Sequence, residues 1–140
     1  MNQIRLFLTI CVLLSLLWRC SPPLTTDKLE GYWQIEKVQQ KSETFVPAVG
    51  NVQYDFYQLN ANGNGFRKKM SPGLGKQLNT SLDQTNFTLI QEGNQWKLHF
   101  ETAWDEWKET ILKLDDQQLV LKHGAKTYTY QRKRNNNGTP

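Results

Sequence analysis

Apolar and polar residues alternate along much of this chain with a period of two. The clearest run is Trp96-Lys97-Leu98-His99-Phe100. Successive side chains of a strand point to opposite faces, so Trp96, Leu98 and Phe100 are expected to share one buried face. Val52, Tyr54 and Phe56 repeat the pattern, although Tyr57 and Leu59 blur its far end. Phe87 and Leu89, Leu119 and Leu121, and Tyr128 and Tyr130 do the same, the last pair among threonines that favour strands. Trp33 and Ile35 open a run near the start, and Ile111, Leu112 and Leu114 fall in a less regular run from Trp107. A sustained apolar period near 3.6 is absent, though Thr102 to Lys113 allows a helical turn around Trp104 and Trp107.

Turn residues separate these runs. Asn60-Ala61-Asn62-Gly63-Asn64-Gly65 carries two Asn-Gly pairs of the hairpin kind. Glu92-Gly93-Asn94, Asp115-Asp116-Gln117 and His123-Gly124-Ala125 mark further reversals, and Ser71-Pro72-Gly73-Leu74-Gly75 begins a longer loop running to about Ser81. The fold class that follows is all-β: about eight antiparallel strands in an up-and-down meander. A meander of that length protects its edges by closing into a barrel or folding into a sandwich.

The first twenty residues follow another rule. A basic start at Arg5 is followed by 13 apolar or hydroxylic residues, Leu6 to Trp18, without a charge. As a helix this run reaches roughly 20 Å, short of a hydrocarbon core of about 30 Å. The layout is that of a secretory signal, with an uncleaved anchor helix as the alternative. Trp18 and Arg19 are unsuited to an ordinary signal peptidase, which needs small residues before its cut. The sequence Leu17-Trp18-Arg19-Cys20 resembles instead the lipobox of bacterial lipoproteins, whose cysteine becomes the acylated N-terminus. Leu17 and Cys20 carry the match; Trp18 and Arg19 depart from the small residues usual there. The expected organisation is a signal peptide at 1–19, a lipidated tether at 20–28, a barrel domain at 29–134 and a disordered tail at 135–140.

Composition narrows the function. Of the 140 residues 11% are aromatic and 21% charged, which excludes a disordered chain. A mean hydropathy of −0.65 excludes a polytopic membrane protein. The net charge of +4 falls once Arg5 and Arg19 leave with the signal, to 15 basic against 13 acidic residues. The clusters Arg67-Lys68-Lys69 and Lys126 with Arg132-Lys133-Arg134 read as solvated faces, not as a nucleic-acid surface. Cys11 and Cys20 are the only cysteines, so a mature chain starting at Cys20 has no internal disulfide and relies on its core.

The chemistry-bearing residues are sparse. Asn60-x-Asn62-x-Asn64 has the start of a calcium loop, but its twelfth position is Ser71 where a glutamate is needed. His99 and His123, the only histidines, lack ligand-spaced partners for zinc, and His99 is expected on the outer face of its strand. Asp105, Glu106 and Glu109 beside Trp104 and Trp107 read as a solvated face rather than as acid–base residues. Asn79-Thr80-Ser81 and Asn86-Phe87-Thr88 fit the glycosylation sequon, which matters only in a eukaryotic secretory path. No nucleophile motif or phosphate loop is present in the sequence. The expectation is a protein without enzymatic activity, metal or cofactor.

Gly31-Tyr32-Trp33 stands where the first strand begins. A G-x-W triplet there resembles the signature of lipocalins, eight-stranded barrels that bind small apolar molecules. Leu29-x-Gly31-x-Trp33, Ile111-Leu112-Lys113-Leu114-Asp115-Asp116, Leu119-Val120-Leu121 and the Tyr128-x-Tyr130 ending look like the lipocalin-like lipoproteins of Gram-negative bacteria. The T-D-Y triplet of animal lipocalins is missing from the sequence. The resemblance implies a closed barrel in which Trp33 seals the narrow end and a basic residue of the last strand covers its ring. Arg132 shares the parity of Tyr128 and Tyr130 and is the expected partner.

It also implies a lipid-anchored protein of the outer membrane facing the periplasm, monomeric, held by an acylated Cys20 and carrying a small hydrophobic ligand. The lining expected for that ligand, or for a plain core, is Trp33, Tyr54, Phe56, Trp96, Leu98, Phe100, Tyr128 and Tyr130. The alternative is an envelope interaction module with a filled core. A cavity on the order of 300 Å³ or more favours the carrier, and an exposed apolar patch favours the module.

Overall fold

A computed structural model describes residues 25–48, 50, 52–73 and 78–133. The signal segment, Cys20 and the tail from residue 135 lie outside the described residues. A 3₁₀ turn, Thr26–Leu29, leads into nine strands: β1 Gly31–Gln40, β2 Glu43–Phe45, β3 Tyr54–Leu59, β4 Asn64–Pro72, β5 Leu78–Glu92, β6 Gln95–Glu101, β7 Glu106–Leu114, β8 Gln118–His123 and β9 Lys126–Arg132. Every pairing is antiparallel, and consecutive strands from β3 to β9 are neighbours.

The two ends of the meander meet on β1. One edge of β1 pairs with β9 from Trp33↔Arg132 to Gln40↔Lys126. The other edge takes β3 along Gly31–Gln34 and the short β2 along Val38–Gln40. Eight strands, β1 and β3 to β9, therefore close as an up-and-down barrel, with β2 a spur on its wall. Among the described residues closure leaves no long strand edge unpaired.

Alternation sets the interior where one face is apolar. β6 sends Leu98 and Phe100 inward, β8 sends Leu119 and Leu121, and β9 sends Tyr130, with Trp96 and Tyr128 packed against this core. Two bulges keep the pattern in phase. In β1 the register shifts between Ile35 and Lys37, so Val38 faces Tyr128. In β7 it shifts between Ile111 and Lys113, which leaves Leu112 half exposed and turns Leu114 into the core. The irregular spacing of Ile111, Leu112 and Leu114 is this bulge.

Three expectations change. On β3 the inward residues are Asp55 and Tyr57, both buried and opposite Trp33 and Gly31. Tyr54 and Phe56 face outward instead. Phe56 lies 4.8 Å from the Tyr32 ring and 6.1 Å from Phe66, and Lys133 Nζ sits 4.2 Å over Tyr54. Both faces of β3 carry aromatics, and this outer cluster decides the parity. The segment after the Asn-Gly turn is strand β4, longer than the turn and loop expected there. The chain from Thr102 to Lys113 forms no helical turn: Thr102 Oγ accepts from the amides of Trp104 and Asp105, which closes a tight reversal into β7.

Candidate functional site

One end of the barrel is plugged. Trp33, fully buried, donates from Nε1 to the Leu29 carbonyl at 2.8 Å, which fixes the 3₁₀ turn over the barrel end. Arg132 lies across the ring with its guanidinium carbon 4.1 Å from the centroid. Its Nη1 donates to the Glu30 carbonyl at 2.8 Å, its Nε to the Asp116 carbonyl at 3.1 Å, and its Nη2 to the Lys28 carbonyl. One side chain thus ties the turn, the β7–β8 reversal and β9 to the Trp33 ring. Gly31 makes room for it: a Cβ there would stand 2.6 Å from Arg132 Nη1, and its φ of +127° is one that side chains rarely adopt.

The middle of the barrel holds a charged group among aromatics. Arg67 points inward from β4 and donates from Nη1 to Glu109 Oε1 at 3.2 Å and Oε2 at 3.3 Å. Trp107 Nε1 donates to the same Oε1 at 3.0 Å. The Arg67 guanidinium carbon lies 4.4 Å over Phe100, whose ring stacks on Trp107 at 4.9 Å. Burial acts against the charge on Arg67, but the Glu109 carboxylate beside it holds the guanidinium firmly protonated. The expected solvated faces at Arg67 and Glu109 are therefore corrected. Their side chains are only 15% and 9% exposed, because the parity of β4 and β7 turns both inward.

The opposite end is a mouth. A cavity of about 200 Å³ opens between Ile35, Val38, Gln53, Asp55, Lys69, Tyr128 and Tyr130. Past Val38 and Tyr128 a second pocket of about 310 Å³ continues toward Phe45 on β2. Asp55 is the chemically unusual wall residue. Its side chain is 3% exposed, and among the described residues neither carboxylate oxygen accepts a hydrogen bond. Lys69 Nζ is 2.7 Å from Oδ1, from a side chain 60% exposed at the rim. The Tyr57 hydroxyl below is also without a partner among the described residues. Burial pushes the Tyr57, Tyr128 and Tyr130 phenols above their ordinary value, so all three stay neutral. A broader concavity of about 880 Å³ is an open groove on the outer wall, lined by Asn64, Asn86, Thr88 and His99 among other polar groups.

The residues expected to line the interior divide accordingly. Trp33, Leu98, Phe100 and Tyr130 lie in the core, and Trp96 packs against it. Tyr128 and Tyr130 border the mouth, while Tyr54 and Phe56 are on the outer wall. His99 is outward, 2.7 Å from Glu106. Sequence reasoning missed Asp55, Tyr57, Arg67, Lys69 and Glu109. The signal available for Glu109 was its place in Trp107-x-Glu109-x-Ile111, an inward parity; Arg67 and Lys69 had none, since no apolar residue shares their face of β4.

A small closed antiparallel barrel, plugged at one end by a tryptophan under an arginine and open at the other, is the class this geometry defines. The family model of the lipocalin-like domain matches residues 29–121, and the chain belongs to that family. A crystal structure of a lipocalin-like protein from Bacteroides uniformis is similar at 12% identity, covering 75% of this chain and 98% of its own, with a TM-score of 0.47. An uncharacterized protein from Bacteroides eggerthii is similar at 10% identity, covering 75% and 99%, with a TM-score of 0.48. No curated protein matches the chain.

Proposed function

We propose that this chain binds a small, largely apolar molecule in the mouth of its barrel, without catalysing a reaction on it. The observation that carries the reading is the cavity bounded by Ile35, Val38, Tyr128 and Tyr130, with a buried carboxylate in its wall. Ligand sites are mostly apolar concavities with a few placed polar groups, and this one has that make-up. Its 200 Å³ is small for such sites, and the adjoining pocket beyond Val38 extends the reach to Phe45. At the Trp33 end Leu29, Trp33 and Arg132 fill the centre of the barrel, and the pocket of about 490 Å³ there lies beside the 3₁₀ turn, between Glu30, Leu59, Asn62, Leu89 and Trp96, without a buried charge in its wall.

The proposal includes an address. The basic start, the short apolar run and Cys20 support a lipoprotein of the cell envelope, anchored in the outer membrane and facing the periplasm. A monomeric barrel on a short tether suits a carrier that stays at the membrane surface. Among the described residues the large exposed apolar side chains are Leu82, Trp104, Leu112 and the neighbours Phe45 and Val46, and Phe45 borders the pocket beyond Val38.

The test is native mass spectrometry of the protein purified from its own host, with Val38→Trp beside it. Val38 borders both pockets, so the larger ring should fill the passage. The expected result is a small molecule retained by the natural chain and lost from the variant. A natural chain that retains nothing, and whose cavity takes up no apolar probe, overturns the reading.

A further inference from the structure

Burying a carboxylate is costly unless a charge or hydrogen-bond donors meet it. Elsewhere in this barrel the rule is kept: Glu109 receives Arg67 and Trp107. Asp55 is the exception. Its side chain is 3% exposed, it lines the mouth cavity, and both oxygens are free of hydrogen bonds among the described residues. Among the described residues its ion-pair partner is Lys69, 2.7 Å from Oδ1 but outside hydrogen-bonding geometry, on a flexible side chain that is mostly in solvent, while the Arg67 charge acts on it from further inside. The rest of the wall is Ile35, Val38 and the rings of Tyr128 and Tyr130.

We propose that the mouth cavity is a site for a small organic amine. The ammonium group sits on the Asp55 carboxylate and the apolar body lies along Tyr128, Tyr130, Ile35 and Val38. This deepens the carrier reading and rests on it. An ammonium donates up to three hydrogen bonds, which meets the carboxylate's acceptors, and tyrosine rings attract a cation. The incoming ammonium replaces that of Lys69, which moves into solvent, so the interior keeps its charge balance. An anionic ligand would face Asp55 directly, and Arg67 is already engaged by Glu109. A metal ion is a poor fit, because among the described residues no group of three or more His, Cys, Asp or Glu comes together. The cavity volume suits one aromatic ring or a short alkyl chain rather than a long acyl chain.

The experiment compares three probes of one skeleton: 2-phenylethylamine, 2-phenylethanol and phenylacetate. Each is titrated calorimetrically into the full chain held in lipid nanodiscs, with protein-free nanodiscs as the blank. The amine should bind at least about tenfold more tightly than the alcohol, and phenylacetate more weakly than either. Asp55→Asn should bring the amine down to the level of the alcohol while leaving the alcohol unchanged. Lys69→Gln, which keeps Asp55 and removes its competitor, should tighten the amine alone, and this readout stands even if the first variant misfolds. Equal binding of amine and alcohol by the natural chain, or an amine affinity that Lys69→Gln leaves unchanged or weakens, overturns the amine site and leaves the carrier reading in place. If none of the three probes binds and nothing is retained from the host, both fail.

Discussion

Glu109 offers a direct test of the charged interior. Its carboxylate accepts from Arg67 Nη1 through both oxygens and from the Trp107 indole, and its side chain is 9% exposed. Glu109→Leu removes all three acceptor contacts and leaves the Arg67 guanidinium, 15% exposed, without its counter-charge. Breaking one partner from a buried pair costs about 3 to 5 kcal/mol, and an orphaned indole N–H adds about 1 kcal/mol. Glu109→Gln keeps one acceptor for Trp107 and removes only the charge, so its cost should be about half as large. For a barrel of this size each kcal/mol lowers Tm by about 4 °C. Glu109→Leu should therefore melt about 16 to 24 °C lower, followed by circular dichroism or calorimetry.

The decisive variant is the double change Arg67→Met with Glu109→Leu. It removes both charges and replaces them with apolar chains, which often restores or improves stability. It should be more stable than Glu109→Leu alone, with a coupling of about 2 kcal/mol or more by chemical denaturation. Strictly additive losses would mean that Arg67 and Glu109 do not depend on each other. A Glu109→Leu protein that melts within about 3 °C of the natural one would place both side chains in water and refute the inward parity of β4 and β7.

Three further outcomes follow from other parts of the fold. A double-mutant cycle of Trp33→Leu with Arg132→Met should show a coupling of about 0.5 to 2 kcal/mol for the ring–guanidinium contact, and zero coupling in denaturant titrations would separate the two residues. Asp115 Oδ1 accepts from the Gln117 amide at 2.8 Å and the Gln118 amide at 2.7 Å, and these bonds, with Lys113, hold its carboxyl below the ordinary value. A carboxyl lowered by folding stabilises above its unfolded pKa and loses that contribution as pH falls through the folded one, so the Tm gap between the natural chain and Asp115→Ala should narrow in acid; a gap that widens there contradicts the assignment. Cys20→Ser should abolish incorporation of labelled palmitate and leave the protein unprocessed or released, and a natural chain that takes up no label rules out the acyl anchor.

The strands legible in the sequence are those with one apolar and one polar face. β6, β8 and β9 each bury their apolar parity, whereas closure of β1 on β9 was implied only by the lipocalin resemblance of Gly31-x-Trp33, the strand pattern itself leaving barrel and sandwich open. β3 defeats the same rule because Tyr54 and Phe56 compete with Tyr57 and Leu59, and Asp55 counts as outward by polarity alone. β4 defeats it more completely. Its inward positions are Gly65, Arg67 and Lys69, while Phe66 and Met70 take the other face, so an apolar-in reading either inverts the strand or finds none. Gly65 was visible only as a turn residue. In the barrel a Cβ there would collide with the Gln58 carbonyl and stand 2.6 Å from the Phe87 ring, so the glycine admits that ring to the core.

These failures fall together in space, and that is informative. Asp55, Tyr57, Arg67, Lys69 and Glu109 are neighbours by register: Asp55 faces Lys69, Tyr57 faces Arg67, and Arg67 reaches Glu109 across the interior. A barrel filled only for stability would be apolar at these positions, since a buried ion pair seldom stabilises more than the apolar residues it displaces. At the Trp33 end the centre is filled, and the Arg132 guanidinium finds three carbonyls and a ring. At the other end, among the described residues, the Asp55 carboxylate is buried without a hydrogen bond beside a cavity. Local rules are expected to break where a protein keeps a site rather than a core. The break in β3 and β4 runs from Asp55 and Lys69 at the mouth to Tyr57, Arg67 and Glu109 further inside, and only its outer end borders the cavity, which is why the proposed site centres on Asp55 and not on the tryptophan of the plug.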